Sequence, residues 1–260
     1  MIGLLRTPED RHWYRLSIIG LIAVTWIALA VWGVSPYGWM LDHDSIAAGE
    51  LPVYLGLPIF VVGWTLMTIA MMLPGSLPLI NLFRRMVASR VDRNGLMIRL
   101  LFGYLGVWSV FSGLVYLGDF GLHRLVDSSN AISDAAADGW IAAIVVLLAG
   151  IYQFTPLKEM CLKECRSPYS FLAGHWRGMD QARDAFCLGI RHGLFCLGCC
   201  WSLMLLMIAL VAGVNLAWML ALGTAMAIER NTLQGRRLTR PLGVLLLAYA
   251  AVLLLVPMLR

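Results

Sequence analysis

Cys187-Leu188-Gly189-Ile190-Arg191-His192-Gly193-Leu194-Phe195-Cys196-Leu197-Gly198-Cys199-Cys200-Trp201 holds four of the chain's six cysteines and one of its five histidines. Arg191 and His192 close a charged segment. From Gly193 the chain stays apolar as far as Val211. That run is about the length a helix needs to cross a bilayer, so the stretch marks a membrane boundary and carries the densest group of reactive side chains in the sequence.

The rest of the chain follows the same pattern. Apolar residues make up 60% of the sequence, charged residues 13%, and mean hydropathy is +0.78. A soluble domain carries roughly 25% charged residues, so this composition excludes a soluble fold with a solvated surface. Backbone that crosses lipid must satisfy its own hydrogen bonds, which selects helices. The expected fold is all-α: one polytopic transmembrane helical bundle over residues 1–260. Seven spans are expected, at about 16–34, 53–80, 96–117, 140–154, 193–211, 215–228 and 242–257. Pro74 and Pro78 interrupt the second half of span 2, because each proline removes a backbone donor. Glu9 and Asp10 precede the first apolar block, and no small-residue cleavage site follows it. It therefore reads as a retained span rather than a signal peptide.

Charge placement orients the bundle. With the N-terminus cytoplasmic, the inner segments hold 18 of the 20 basic residues, and only Arg124 and Arg260 lie outside. The outer loops carry Asp42, Asp44, Glu50, Asp119, Asp127, Asp134 and Asp138. This asymmetry satisfies the positive-inside rule and puts the C-terminus outside. It also explains the net charge of +5 without any nucleic-acid partner. The loop 157–192 is then cytoplasmic. Residues Leu157 to Cys165 can continue span 4 as a helix that Ser167-Pro168 stops, and Tyr169 to Phe186 can lie along the interface. Asp42-His43-Asp44 reads as a solvated acidic loop.

Cys161 and Cys165 are four apart, which puts both thiols on one face of a helix. His192, Cys196 and Cys199 or Cys200 share a face in the same way, whereas Cys187 points away if the helix is unbroken. Both groups lie at cytoplasmic ends of spans and can meet. Thiolates with a nearby imidazole suit cuprous copper, zinc or an iron–sulfur centre, copper first and zinc next. Inert packing remains an alternative, since free cysteine packs well in apolar surroundings. A disulfide fits poorly with a reducing cytosol. Met71 and Met72, beside the break at Pro74, are weaker thioether candidates; Met204, Met207, Met219 and Met226 read as core. Glu229 and Gln153 lie near membrane depth, where polar groups are costly and often functional. No Walker A loop, GxSxG elbow, HExxH or CxxCH occurs, so no reaction or substrate is indicated.

Three motifs together resemble one bacterial family: Ala70-Met71-Met72-Leu73-Pro74; Tyr152-Gln153-Phe154-Thr155-Pro156-Leu157-Lys158 with Cys161 and Cys165; and Gly193-Leu194-Phe195-Cys196-Leu197-Gly198-Cys199-Cys200-Trp201 with Met204. It is a domain-of-unknown-function family described as predicted metal-binding integral membrane proteins. The resemblance implies a polytopic membrane fold and a metal site at the cysteines. The leading expectation is a multi-pass protein of the bacterial inner membrane that stores copper or zinc, delivers it, or assembles a metalloenzyme. The competing readings are an accessory subunit of a larger membrane complex and a membrane thiol or metal oxidoreductase.

Overall fold

The computed structural model describes residues 8–41, 51–129, 134–209, 215–232 and 235–255. Among them there are ten α-helices and no strand: α1 (Pro8–Val34), α2 (Val53–Met71), α3 (Leu73–Met86), α4 (Arg93–Ser129), α5 (Asp134–Tyr152), α6 (Pro156–Arg166), α7 (Pro168–His175), α8 (Gln181–Ala209), α9 (Leu216–Asn231) and α10 (Gly235–Leu255). A short 3-10 turn, Gly38–Leu41, follows α1. The all-helical expectation holds.

Five helices are long and apolar enough to cross a membrane, or up to six if the bent pair α5–α6 forms one span. The helix of the expected sixth span, α9, has only 16 residues and is not among them. The expected second span is two helices that meet at Met72. Two others begin earlier than their apolar runs. α8 starts at Gln181 rather than Gly193, and α4 reaches from Arg93 to Ser129. Charge marks where lipid ends; it does not stop a helix whose residues are good helix formers.

α8 is the hub. It packs most extensively on α4 and also touches α5, α6 and α9. Of its apolar window 56% is buried, against 11% for α1. Gly189 sets the closeness to α4, because a Cβ there would collide with the Leu100 backbone carbonyl. Gly193 lies one turn further, which makes a small-xxx-small contact of the kind that lets membrane helices touch backbone to backbone.

The core is mainly apolar but also encloses polar and charged side chains, and apolar side chains cover the outside. Ile19, Val24, Ile27 and Val31 on α1, Phe102, Val110 and Leu114 on α4, and Val244, Leu245 and Val252 on α10 are exposed. Ser76, Gln153, Lys158, His192, Glu229 and Arg230 are buried. A surface of this kind is compatible with lipid contact.

The bundle has two helix breaks. At the first, Met72 closes α2 and opens α3, with Pro74 in the first turn. At the second, α6 turns 65° away from α5, so the expected straight continuation is bent. Thr155 caps α6 by accepting from the Lys158 N–H at 3.3 Å. The first break sets α3 against α7 and α9, and the second sets α6 against α8 and α9.

Candidate metal centre

On α8 the unbroken helix puts Cys196, Cys199 and Cys200 on its buried face, followed by Leu203, Met204 and Met207. All six cysteines are free. α6 contributes Cys161 and Cys165 to the same core cluster. The Cys165 and Cys199 sulfurs are 4.0 Å apart, and those of Cys199 and Cys200 are 3.1 Å apart. The Cys199 thiol also donates to the Cys196 carbonyl at 3.1 Å. Cys161 lies against Gly198, where a Cβ would sit 2.5 Å from its sulfur. Tyr152 fixes the same turn of α8 by donating to the Gly198 carbonyl and meets Trp201 edge-on at 4.9 Å.

Gly198 thus admits Cys161 to the group. Gly198→Ala is expected to leave the fold intact but swing the Cys161 thiol aside, because overpacking by one methyl costs about 1–3 kcal/mol and one χ1 rotation relieves it. Maleimide labelling of Cys161, in a variant lacking Cys187, should speed up; an unchanged rate would show that the thiol never needed the glycine.

His192 lies one turn before Cys196. Its ring stacks on Tyr104 with centroids 5.5 Å apart and meets Phe171 edge-on at 5.6 Å. Its Nε2 is buried and has no hydrogen-bond partner among the described residues. Cys187 is half-buried and lies outside the core cluster that holds the other five cysteines. Met71 and Met72 are both buried. The Met72 thioether is turned toward the Arg230 guanidinium, 3.9 Å from Nη1. A neighbouring cation opposes binding of a metal cation there and favours an anchoring role for Met72. Met204, Met207, Met219 and Met226 are buried core residues. Asp42, His43, Asp44 and Glu50 lie outside the described residues.

Beside the sulfurs is a buried charge network. Lys158 donates to Glu229 at 3.0 Å and to the Gln153 side-chain oxygen, and both ions are 1% exposed. Arg166 donates through Nε to the Glu229 backbone carbonyl at 2.7 Å. Arg230 donates to Ser76 at 3.1 Å and to the Met72 carbonyl at 3.4 Å. The carbonyl exposed by the helix break at Met72 therefore serves as half of a socket for Arg230. A cleft of about 1450 Å³ opens on the other side of α6, with Lys158, Lys163, Arg166, Arg237 and Arg240 along it.

Lys158 and Arg230 count among loop cations in the sequence, yet both are buried. The signals were present: Lys158 falls in the first turn of a proline-started helix, and Glu229-Arg230 ends an apolar run. Tyr104 and Ser76 carried no signal, since their roles depend on partners far along the chain.

Among the described residues, no three His, Cys, Asp or Glu side chains form a ready-made metal cage. The donor set nonetheless fits a soft ion. Two sulfurs on one tetrahedral ion at about 2.3 Å lie roughly 3.8 Å apart, close to the 4.0 Å between Cys165 and Cys199. The unpartnered His192 Nε2 adds a buried donor atom nearby. A protein-family model described as a copper chaperone, PpoB2, matches residues 61–253. The chain belongs to this copper chaperone family. The match covers both helix breaks, α8 and α9, and ties the chain to copper. Comparison with curated proteins found no match, and comparison with solved structures found none.

Proposed function

We propose that the chain is a multi-pass copper chaperone of the bacterial inner membrane, which takes up cuprous ion on its buried sulfurs and passes it to a metalloenzyme or membrane complex. The observation that carries this reading is the approach of Cys165 and Cys199 to 4.0 Å across two helices, in a chain of the copper chaperone family. Cys161, Cys196 and Cys200 complete the sulfur set, and His192 is the nitrogen donor beside it. Thiolates prefer cuprous ion to harder metals, so copper is favoured over zinc.

In the proposed topology the N-terminus is cytoplasmic, α9 counts as a short sixth span of seven, and the sulfurs face the cytoplasmic half of the bilayer. The charge asymmetry of the sequence supports this arrangement. A site made of sulfurs from two helices suits transfer. One sulfur can release the ion while the others hold it.

Metal analysis of purified protein is the test. Wild type loaded with cuprous ion under reducing conditions is expected to retain copper through desalting, and a Cys196→Ser, Cys200→Ser variant is expected to lose it. Equal copper in the two proteins overturns the reading. Retention of zinc in place of copper would reassign the cargo.

A further inference from the structure

Arg230 is 3% exposed. Among the described residues no carboxylate lies within ion-pair distance of it, because its neighbour Glu229 pairs with Lys158 instead. A buried guanidinium without a counter-charge is costly, so the counter-charge has to come from another group. The candidates are the thiols of Cys196, Cys165, Cys199 and Cys200, which are buried in the core cluster.

A continuous path joins it to the first of these. Arg230 Nη2 donates to Ser76 Oγ at 3.1 Å. The Ser76 hydroxyl donates to Tyr104 Oη at 3.3 Å. Tyr104 Oη lies 3.2 Å from Cys196 Sγ. Ser76 has a second acceptor in the Met72 carbonyl at 3.2 Å, to which Arg230 Nη1 also donates, so the Ser76 proton reaches either the carbonyl or Tyr104. When the serine proton is directed at Tyr104 and the sulfur is a thiolate, the phenol proton points to the sulfur. Each donor then leads from the guanidinium toward Cys196, and the Cys196 sulfur is the terminal acceptor.

We infer that Arg230, Ser76 and Tyr104 are positioning residues of the copper site, and that Arg230 supplies the positive charge balancing the metal-bound thiolates through a hydrogen-bond relay ending on Cys196. The inference rests on the copper reading above. Two thiolates on one cuprous ion carry a net charge of −1, which the buried Arg230 offsets; Arg166, half-buried next to Cys165, is a second cation nearby. A metal-bound sulfur keeps lone pairs to accept the Tyr104 proton, so the relay survives loading and holds the ligand in place.

The test uses the full chain in detergent or nanodiscs. A chromophoric cuprous chelator competes for the metal, and the thiolate-to-copper absorption is recorded alongside. Arg230→Met and Tyr104→Phe are each expected to weaken cuprous binding by about 10–100-fold, the range for outer-shell changes. Arg230→Lys should recover part of the loss. The Arg230→Met, Tyr104→Phe double variant should be little weaker than Arg230→Met alone, because the two act along one path, and Tyr104→Phe should shift the absorption band. Affinities and band unchanged in the single variants overturn the inference, and so does a double variant whose loss equals the product of the singles. If Arg230→Met does not fold, Tyr104→Phe and Arg230→Lys carry the same decision. A wild type that binds no cuprous ion overturns the copper reading itself; unchanged variants of a wild type that does bind overturn only the relay.

Discussion

Cys199→Ser is expected to cost more cuprous affinity than any other single cysteine change. Cys199 is the sulfur through which the two helices meet: it lies 4.0 Å from Cys165 on α6 and 3.1 Å from Cys200 on α8. A hydroxyl is a poor ligand for a soft ion, and α6 has no other α8 sulfur as close to Cys165. The loss should therefore exceed the about 10–100-fold expected when an outer-shell partner is removed. Cys187→Ser is the control, since Cys187 lies outside the core cluster. Chelator competition on the two variants decides the matter. If Cys199→Ser holds copper as tightly as Cys187→Ser, the cargo binds elsewhere.

Lys158→Met is expected to cause the largest loss of stability. Lys158 and Glu229 are each 1% exposed and pair at 3.0 Å. Removing the cation leaves a buried carboxylate whose Oε1 already has no partner. Breaking one side of such a pair costs about 3–5 kcal/mol, a large share of a typical folding free energy. The double variant Lys158→Met, Glu229→Gln removes both charges and should recover most of that loss, since a neutral amide no longer demands a cation. Thermal unfolding in detergent measures both. A double variant as unstable as the single would mean that Lys158 matters through its packing along α6 rather than through its charge. The network also positions the site: Lys158 ties α6 to α9, and Arg166 ties the same helix to the Glu229 carbonyl. The helix carrying Cys161 and Cys165 is thus fastened at two points beside the sulfurs.

Much of the centre was legible in local spacing. The three- and four-residue intervals that put His192, Cys196, Cys199 and Cys200 on one face, and Cys187 on another, depend only on helix geometry. Because α8 runs unbroken through this stretch, that reading survives intact. The meeting of Cys161 and Cys165 with the α8 sulfurs followed from both lying at like ends of apolar runs. The charge network was not legible. A lysine after Thr155-Pro156 looks the same whether it points to solvent or to a glutamate 71 positions later. The 65° bend that turns it inward is set by what α6 packs against. The motif around Pro74 signalled a break, and its thioethers suggested ligands. What the break exposes is a carbonyl, which Arg230 takes up.

The sequence by itself determined the helical class, the lipid-compatible lengths of the main helices and which α8 side chains share a face. Each of these is fixed by composition and by the 3.6-residue period. Only the tertiary structure decided that α6 packs on α8 while the break at Met72 faces Arg230 of α9, that Lys158 and Arg230 are interior ions rather than loop charges, and that Tyr104 and Ser76 lie between Arg230 and Cys196. The physical reason is that burial and hydrogen bonding of an ion depend on atoms brought from elsewhere in the chain: Arg230 meets Ser76 across 154 positions, and Tyr104 meets Cys196 across 92.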